Sequence, residues 1–135
     1  MYKKVLVIDD NQIDLYIAEV SIMKKAFAEE VITKQSAISA LEYLAETANN
    51  PADLPQLIFL DINMPEINGF QFLEAFEKLP VIVQETCSIM MLSSSLEPED
   101  HKKATDNRFV IDFVNKPLVK EKLNQILIQQ FPGNR

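Results

Sequence analysis

The chain has 135 residues, 47% of them hydrophobic, and a net charge of -7 from 13 basic against 20 acidic side chains. That length fits one domain with a proper core, and the acidic balance argues against nucleic acid as the main partner, because phosphate contacts need a basic face. The single cysteine, Cys87, excludes an intrachain disulfide and a multi-cysteine zinc site. The apolar runs are too short to span a membrane, and nothing after Lys3-Lys4 reads as a signal peptide. The expectation is a cytoplasmic protein with no membrane partner.

Val5-Leu6-Val7-Ile8 is a continuous apolar run, the pattern of a strand buried on both faces, and it leads into Asp9-Asp10. Helical spacing from Gln12 to about Phe27 predicts a helix that buries Ile13, Ile17, Val20, Met23 and Phe27. Val31-Ile32-Thr33 reads as a second strand. Ser36 stands as the N-cap of a helix carrying Ala37, Ala40, Leu41, Leu44 and Ala48, which Asn49-Asn50-Pro51 ends. Leu57-Ile58-Phe59-Leu60 leads into Asp61, and the loop after it closes with a turn at Asn68-Gly69. Phe72, Leu73, Phe76 and Leu79 mark a third helix.

The stretch from Pro80 to Thr86 reads as a connection, although Val81-Ile82-Val83 has the composition of a strand. Cys87 is then a small apolar residue leading into a strand from Ser88 to Leu92, with Ser93 just past it. Pro98 suits the first turn of a helix running to about Asp106, on which His101, beside Lys102 and Lys103, reads as a surface residue. The last strand runs from Val110 to Val114 and leads through Asn115 to Lys116-Pro117. A final helix buries Val119, Leu123, Ile126 and Leu127 and stops at Pro132-Gly133. Five strands alternating with five helices predict an α/β fold: a parallel sheet with right-handed crossovers and helices on both faces.

In such a sheet Asp9, Asp10, Asp61, Ser93 and Lys116 all fall at the C-terminal edge, where open α/β folds place their ligand sites. Two carboxylates about 4 Å apart cost roughly 4 kcal/mol at an effective dielectric near 20, so the three aspartates must raise their pKa values or recruit a cation. Mg²⁺ fits, since it takes oxygen ligands and commonly bridges carboxylates to a phosphate. Lys116 can neutralise phosphate charge and Ser93 can donate to a phosphate oxygen. Phosphoryl transfer needs mainly this positioning and neutralisation.

Val7-Ile8-Asp9-Asp10, Leu60-Asp61-Ile62-Asn63-Met64-Pro65 with Gly69, Met91-Leu92-Ser93-Ser94 and Phe113-Val114-Asn115-Lys116-Pro117 together resemble the receiver domain of the two-component response regulators, in order and spacing over essentially the whole chain. The resemblance implies a flavodoxin-like doubly wound fold with strand order 2-1-3-4-5. It implies a single receiver domain over residues 1–135 with no output domain. Asp61 resembles the phospho-accepting aspartate, Asp10 the direct Mg²⁺ ligand, Asp9 its water-linked neighbour, and Asn63 the residue whose backbone carbonyl binds the metal. Ser93 resembles the hydroxyl that moves toward the phosphoryl group, and Lys116 the lysine that pairs with it. Phe113 resembles the aromatic switch residue, here without the phenol hydroxyl of a tyrosine. A cis Lys116-Pro117 bond is implied as well, and Asn63 and Ser95 hold positions that tune the lifetime of the phosphorylated state.

The implied partners are a histidine kinase or histidine phosphotransfer protein as donor and an output protein the sequence does not name. The implied activity is a phospho-accepting switch with at most self-catalysed transfer and hydrolysis. Two alternatives compete with that reading. One is a phosphorylation-independent binding module of the same fold, which would usually lack part of the acidic cluster or the lysine. The other is a Mg²⁺-dependent phosphohydrolase with an aspartyl nucleophile, whose second acidic residue would have to stand where this chain has Asn63.

Overall fold

A computed structural model describes residues 1–94 and 97–132. Among them, five strands form one parallel sheet in the order β2-β1-β3-β4-β5. The strands are β1 (Tyr2–Ile8), β2 (Ala28–Lys34), β3 (Leu57–Asp61), β4 (Ser88–Ser93) and β5 (Val110–Asn115). The helices are α1 (Gln12–Lys25), α2 (Ala37–Thr47), α3 (Gly69–Phe76), α4 (Val81–Thr86), α5 (Pro98–Asp106) and α6 (Lys120–Gln130), with a 3₁₀ turn at Pro51–Asp53. The predicted fold class and strand order hold. Position 95, named above for tuning, and the Gly133 of the predicted helix stop lie outside the described residues.

The continuous apolar runs are explained by two cores, one on each face of the sheet. Leu6, Ile8, Ile58, Leu60, Ile89 and Met91 point to the face covered by α2, α3, α4 and α5. Their alternates Val5, Val7, Leu57, Phe59, Met90 and Leu92 point to the face covered by α1 and α6. Each residue of these runs therefore meets a packed layer, and a strand with no solvent face shows no polar alternation. Among the described residues no helix is long and apolar enough to cross a membrane.

Two expectations are corrected. α1 buries Leu15, Ala18 and Ile22, whereas Ile13 and Met23 are exposed and Ile17 and Val20 only partly covered. Phe27 is buried, but beyond the helix, after Ala26 has taken a left-handed conformation that ends it. The stretch read as a connection holds the short helix α4, so the described residues have six helices rather than five; Val83 N–H bonds to the Pro80 carbonyl and Val83 alone of its residues is buried. Cys87 behaves as expected, buried in the core at the start of β4.

Candidate functional site

The predicted residues converge at the C-terminal edge of the sheet. Asp9 and Asp10 follow β1, Asp61 ends β3, Ser93 ends β4 and Lys116 follows β5. The register places Ile8 beside Leu60, Asp61 beside Leu92 and Ser93 beside Asn115. β1 runs on into α1 on one face and β3 into α3 on the other, so a crevice opens between them at the point where the chain changes sides.

Local sequence chemistry shapes each wall. The Asn11 side chain caps α1, accepting the N–H groups of Ile13 at 2.9 Å and Asp14 at 3.1 Å. Asp9 Oδ1 in turn accepts the Asn11 N–H at 2.9 Å, which fixes that carboxylate at the strand exit. Across the crevice, Asn68 and Gln71 form a reciprocal capping box at the start of α3. The Gly69 N–H bonds to the Ile62 carbonyl at 2.8 Å and closes the loop behind Asp61. On the third wall the Lys116 N–H bonds to the Ser93 carbonyl at 2.9 Å, and the Lys116-Pro117 bond is cis.

The Lys116 ammonium stands at the centre. Its Nζ lies 2.7 Å from Asp9 Oδ2, 3.0 Å from Asp14 Oδ2 and 3.4 Å from Asp61 Oδ1. Asp9, Asp61 and Ser93 are buried, while Asp10 is exposed. One oxygen from each of Asp9, Asp10 and Asp61 can be chosen so that all three lie within 4.8 Å of one another. Burial, seconded by the charge of Asp9, pushes the Asp61 carboxyl up to about 7, against the opposing pull of Lys116 and of a backbone hydrogen bond from Asn63. Burial alone would lower the Lys116 ammonium, but its hydrogen bonds to Asp9 and Asp14 and the charge of Asp61 outweigh that and hold it above its usual value. One lysine does not neutralise this many carboxylates. The donor set is all hard oxygen, and it fits a small divalent cation such as Mg²⁺ better than a soft metal.

One residue at the site and one contact went unnoticed in the sequence. Asp14 joins the Lys116 ion pair from the first turn of α1. The available signal was its place in the first turn of the helix that follows directly on Asp9-Asp10. His101 is exposed as expected, yet its ring lies against that of Phe113, with centroids 5.0 Å apart. Phe113 is half-buried on β5 beside Met91 and packs on the core under α5.

An open doubly wound sheet with a cation-suited acidic crevice at its switch point places the protein among the flavodoxin-like α/β domains. The family model for the response regulator receiver domain matches residues 5–128, and the chain belongs to that family. It is 31% identical, over 92% of its length, to hybrid signal transduction histidine kinase L of Dictyostelium discoideum, of which it covers 7%. It is 26% identical, over 91% of its length, to two-component response regulator ORR1 of Oryza sativa, of which it covers 53%. The chain thus spans about half of one of these relatives and a small part of the other. Among solved structures it is similar to a two-component response regulator from Cytophaga hutchinsonii, with a TM-score of 0.87, 31% identity and coverage of 95% of this chain and 96% of that one. A response regulator receiver protein from Dyadobacter fermentans is similar at a TM-score of 0.82 and 31% identity, covering 96% of this chain and 98% of that one. Receiver domains are phospho-accepting switches that bind Mg²⁺ at an acidic pocket and meet histidine kinases or phosphotransfer proteins and output proteins. This chain has the matching Asp9, Asp10 and Asp61 cluster.

Proposed function

We propose that this protein is a phosphorylation switch that accepts a phosphoryl group on Asp61 from the phosphohistidine of a histidine kinase or phosphotransfer protein. The observation that carries the reading is the setting of Asp61: a buried carboxylate at the end of a central strand, with Lys116 Nζ 3.4 Å away and the Asp9 and Asp10 carboxylates beside it. An Asp61 oxygen attacks phosphorus, an O–P bond forms, and the donor's P–N bond breaks, so that the imidazole leaves and takes a proton. Asp10, Asp9, Asp61 and the Asn63 backbone carbonyl would hold Mg²⁺. When bound, the ion supplies Lewis-acid neutralisation of the phosphoryl oxygens.

Asp10 is the exposed member of the acidic pair and is free of the Lys116 contact that engages Asp9, which suits it to direct ligation. Lys116 donates to one phosphoryl oxygen and the Ser93 hydroxyl turns toward another. Movement of Ser93 at the end of β4 opens space beside β5, and Phe113 rotates inward to fill it. That rotation breaks the ring contact with His101 and alters the face made by α5, β5 and α6. Phe113 carries no hydroxyl, so burial drives its rotation. The signal leaves through contact with an output protein, and the complete acidic set with its lysine favours this reading over a phosphorylation-independent module.

Incubation with acetyl phosphate and Mg²⁺, followed by intact-mass measurement, tests the proposal. The wild type should gain one phosphoryl group only when Mg²⁺ is present, and Asp61→Asn should gain none. Equal labelling of the variant refutes the assignment of Asp61.

A further inference from the structure

A lysine ammonium has three N–H donors and no acceptor. Around Lys116 Nζ stand three carboxylates, Asp9 at 2.7 Å, Asp14 at 3.0 Å and Asp61 at 3.4 Å. Two of them change partners in the proposed cycle. Asp9 and Asp61 belong to the trio suited to a cation, and Asp61 is the residue that becomes esterified. Asp14 does neither: it stands outside that trio and keeps its carboxylate throughout.

Asp14 is also held on rigid backbone. It lies in the first turn of α1, its own N–H is bound to the capping Asn11, and the next residue, Leu15, is buried in the core. Lys116 by contrast reaches the crevice on a four-carbon stem from the loop after β5, with many rotamers to lose. The Asp14–Lys116 contact joins residues 102 apart in sequence and ties α1 to that loop. A fixed carboxylate on a helix facing a cation on a long flexible stem is an arrangement that pre-organises the cation.

We propose that Asp14 is a positioning residue for Lys116, holding the ammonium on the α1 side of the crevice so that it keeps one anchor while it hands a donor to the phosphoryl group on Asp61. The inference rests on the reading of Lys116 as the partner of that group. Without Asp14 the ammonium collapses onto Asp9, its nearest carboxylate, and competes with the cation for it.

The test is a double-mutant cycle read by the rate of phosphoryl uptake from acetyl phosphate at saturating Mg²⁺. Asp14→Ala should slow uptake on the order of fivefold, and the isosteric Asp14→Asn should slow it less, because its amide oxygen still accepts a hydrogen bond. In a Lys116→Met background neither change should slow uptake further. A residue acting only through helix stability or bulk charge would keep its effect there, and that result overturns the proposal, as does a rate for Asp14→Ala equal to or above wild type. The ¹⁵N-ammonium signal of Lys116 in metal-free protein supplies an independent readout. It should be sharp in the wild type and broadened or lost in Asp14→Ala. An unchanged signal overturns the role of Asp14 even if the wild type takes up no phosphoryl group, an outcome that by itself refutes only the functional reading.

Discussion

A Cβ placed on Gly69 would lie 2.7 Å from the Asp61 carbonyl oxygen, 2.9 Å from Ile62 Cα and 3.1 Å from Met91 Cε. Two of those neighbours are backbone atoms at the exit of β3, so they move only if the loop carrying Asp61 moves. Gly69→Ala should therefore destabilise the protein by about 1–3 kcal/mol and slow phosphoryl uptake through displacement of Asp61. Urea denaturation checks the first effect, and an unchanged midpoint contradicts it. The sequence pointed to Asn68-Gly69 for a different reason, a turn. In the structure Asn68 is a helix cap, and Gly69 is needed for close approach; among the described residues the left-handed ones are Glu66 and Ala26. Dipeptide signals mark where the chain bends, but they carry no information about what lies a few ångströms away across the fold. The ion pair of Asp14 was unreadable for the same reason, since its partner Lys116 is 102 residues distant.

At the scale of elements, strands were easier to read than helix faces. The runs in β1, β3 and β4 are apolar at successive positions because each meets a core on both sides, and that pattern needs no choice of face. α1 demands such a choice. It carries two apolar stripes, one at Leu15, Ala18 and Ile22 and another at Ile13, Ile17, Val20 and Met23, and spacing alone does not rank them. The first stripe has the small Ala18 where the helix comes down on the sheet, and it is the buried one. Ile22→Ala should cost about 2–4 kcal/mol, whereas Ile13→Ser, at a position 71% exposed, should stay within about 0.5 kcal/mol. Thermal unfolding of the two variants distinguishes the faces, and a larger loss for Ile13→Ser reverses the assignment. α4 escaped notice because its six residues bury only Val83, which leaves no periodicity to find.

For the whole molecule, the topology was readable because alternating strands and helices permit few right-handed arrangements. The crevice followed from it, since every candidate residue but Phe113 sits at or just past a strand end. The electrostatic consequence concerns pH. Burial and the neighbouring charge of Asp9 raise the Asp61 carboxyl from its ordinary 3.8 to about 7. A carboxyl raised in this way contributes stability that is fully present below the unfolded value and is lost as pH rises through about 7. Metal-free Asp61→Asn should accordingly be more stable than wild type near pH 8, with the gap shrinking toward about pH 5. A Mg²⁺ ion held by Asp61 would have to displace that proton, so its apparent affinity should rise by up to about tenfold per pH unit below 7 and level off above it. Titrations of the metal across that window check the sign. An affinity independent of pH would contradict ligation by an Asp61 carboxyl raised to about 7.

On the proposed function, Asp61 alone among the crevice carboxylates becomes the acyl phosphate. Borohydride reduces an aspartyl phosphate to homoserine, which peptide mass mapping locates. After treatment with a phosphoryl donor and Mg²⁺, homoserine should appear at Asp61 and nowhere else. Homoserine at Asp9, Asp10 or Asp14, or none at all in fully folded protein, would overturn the assignment of Asp61.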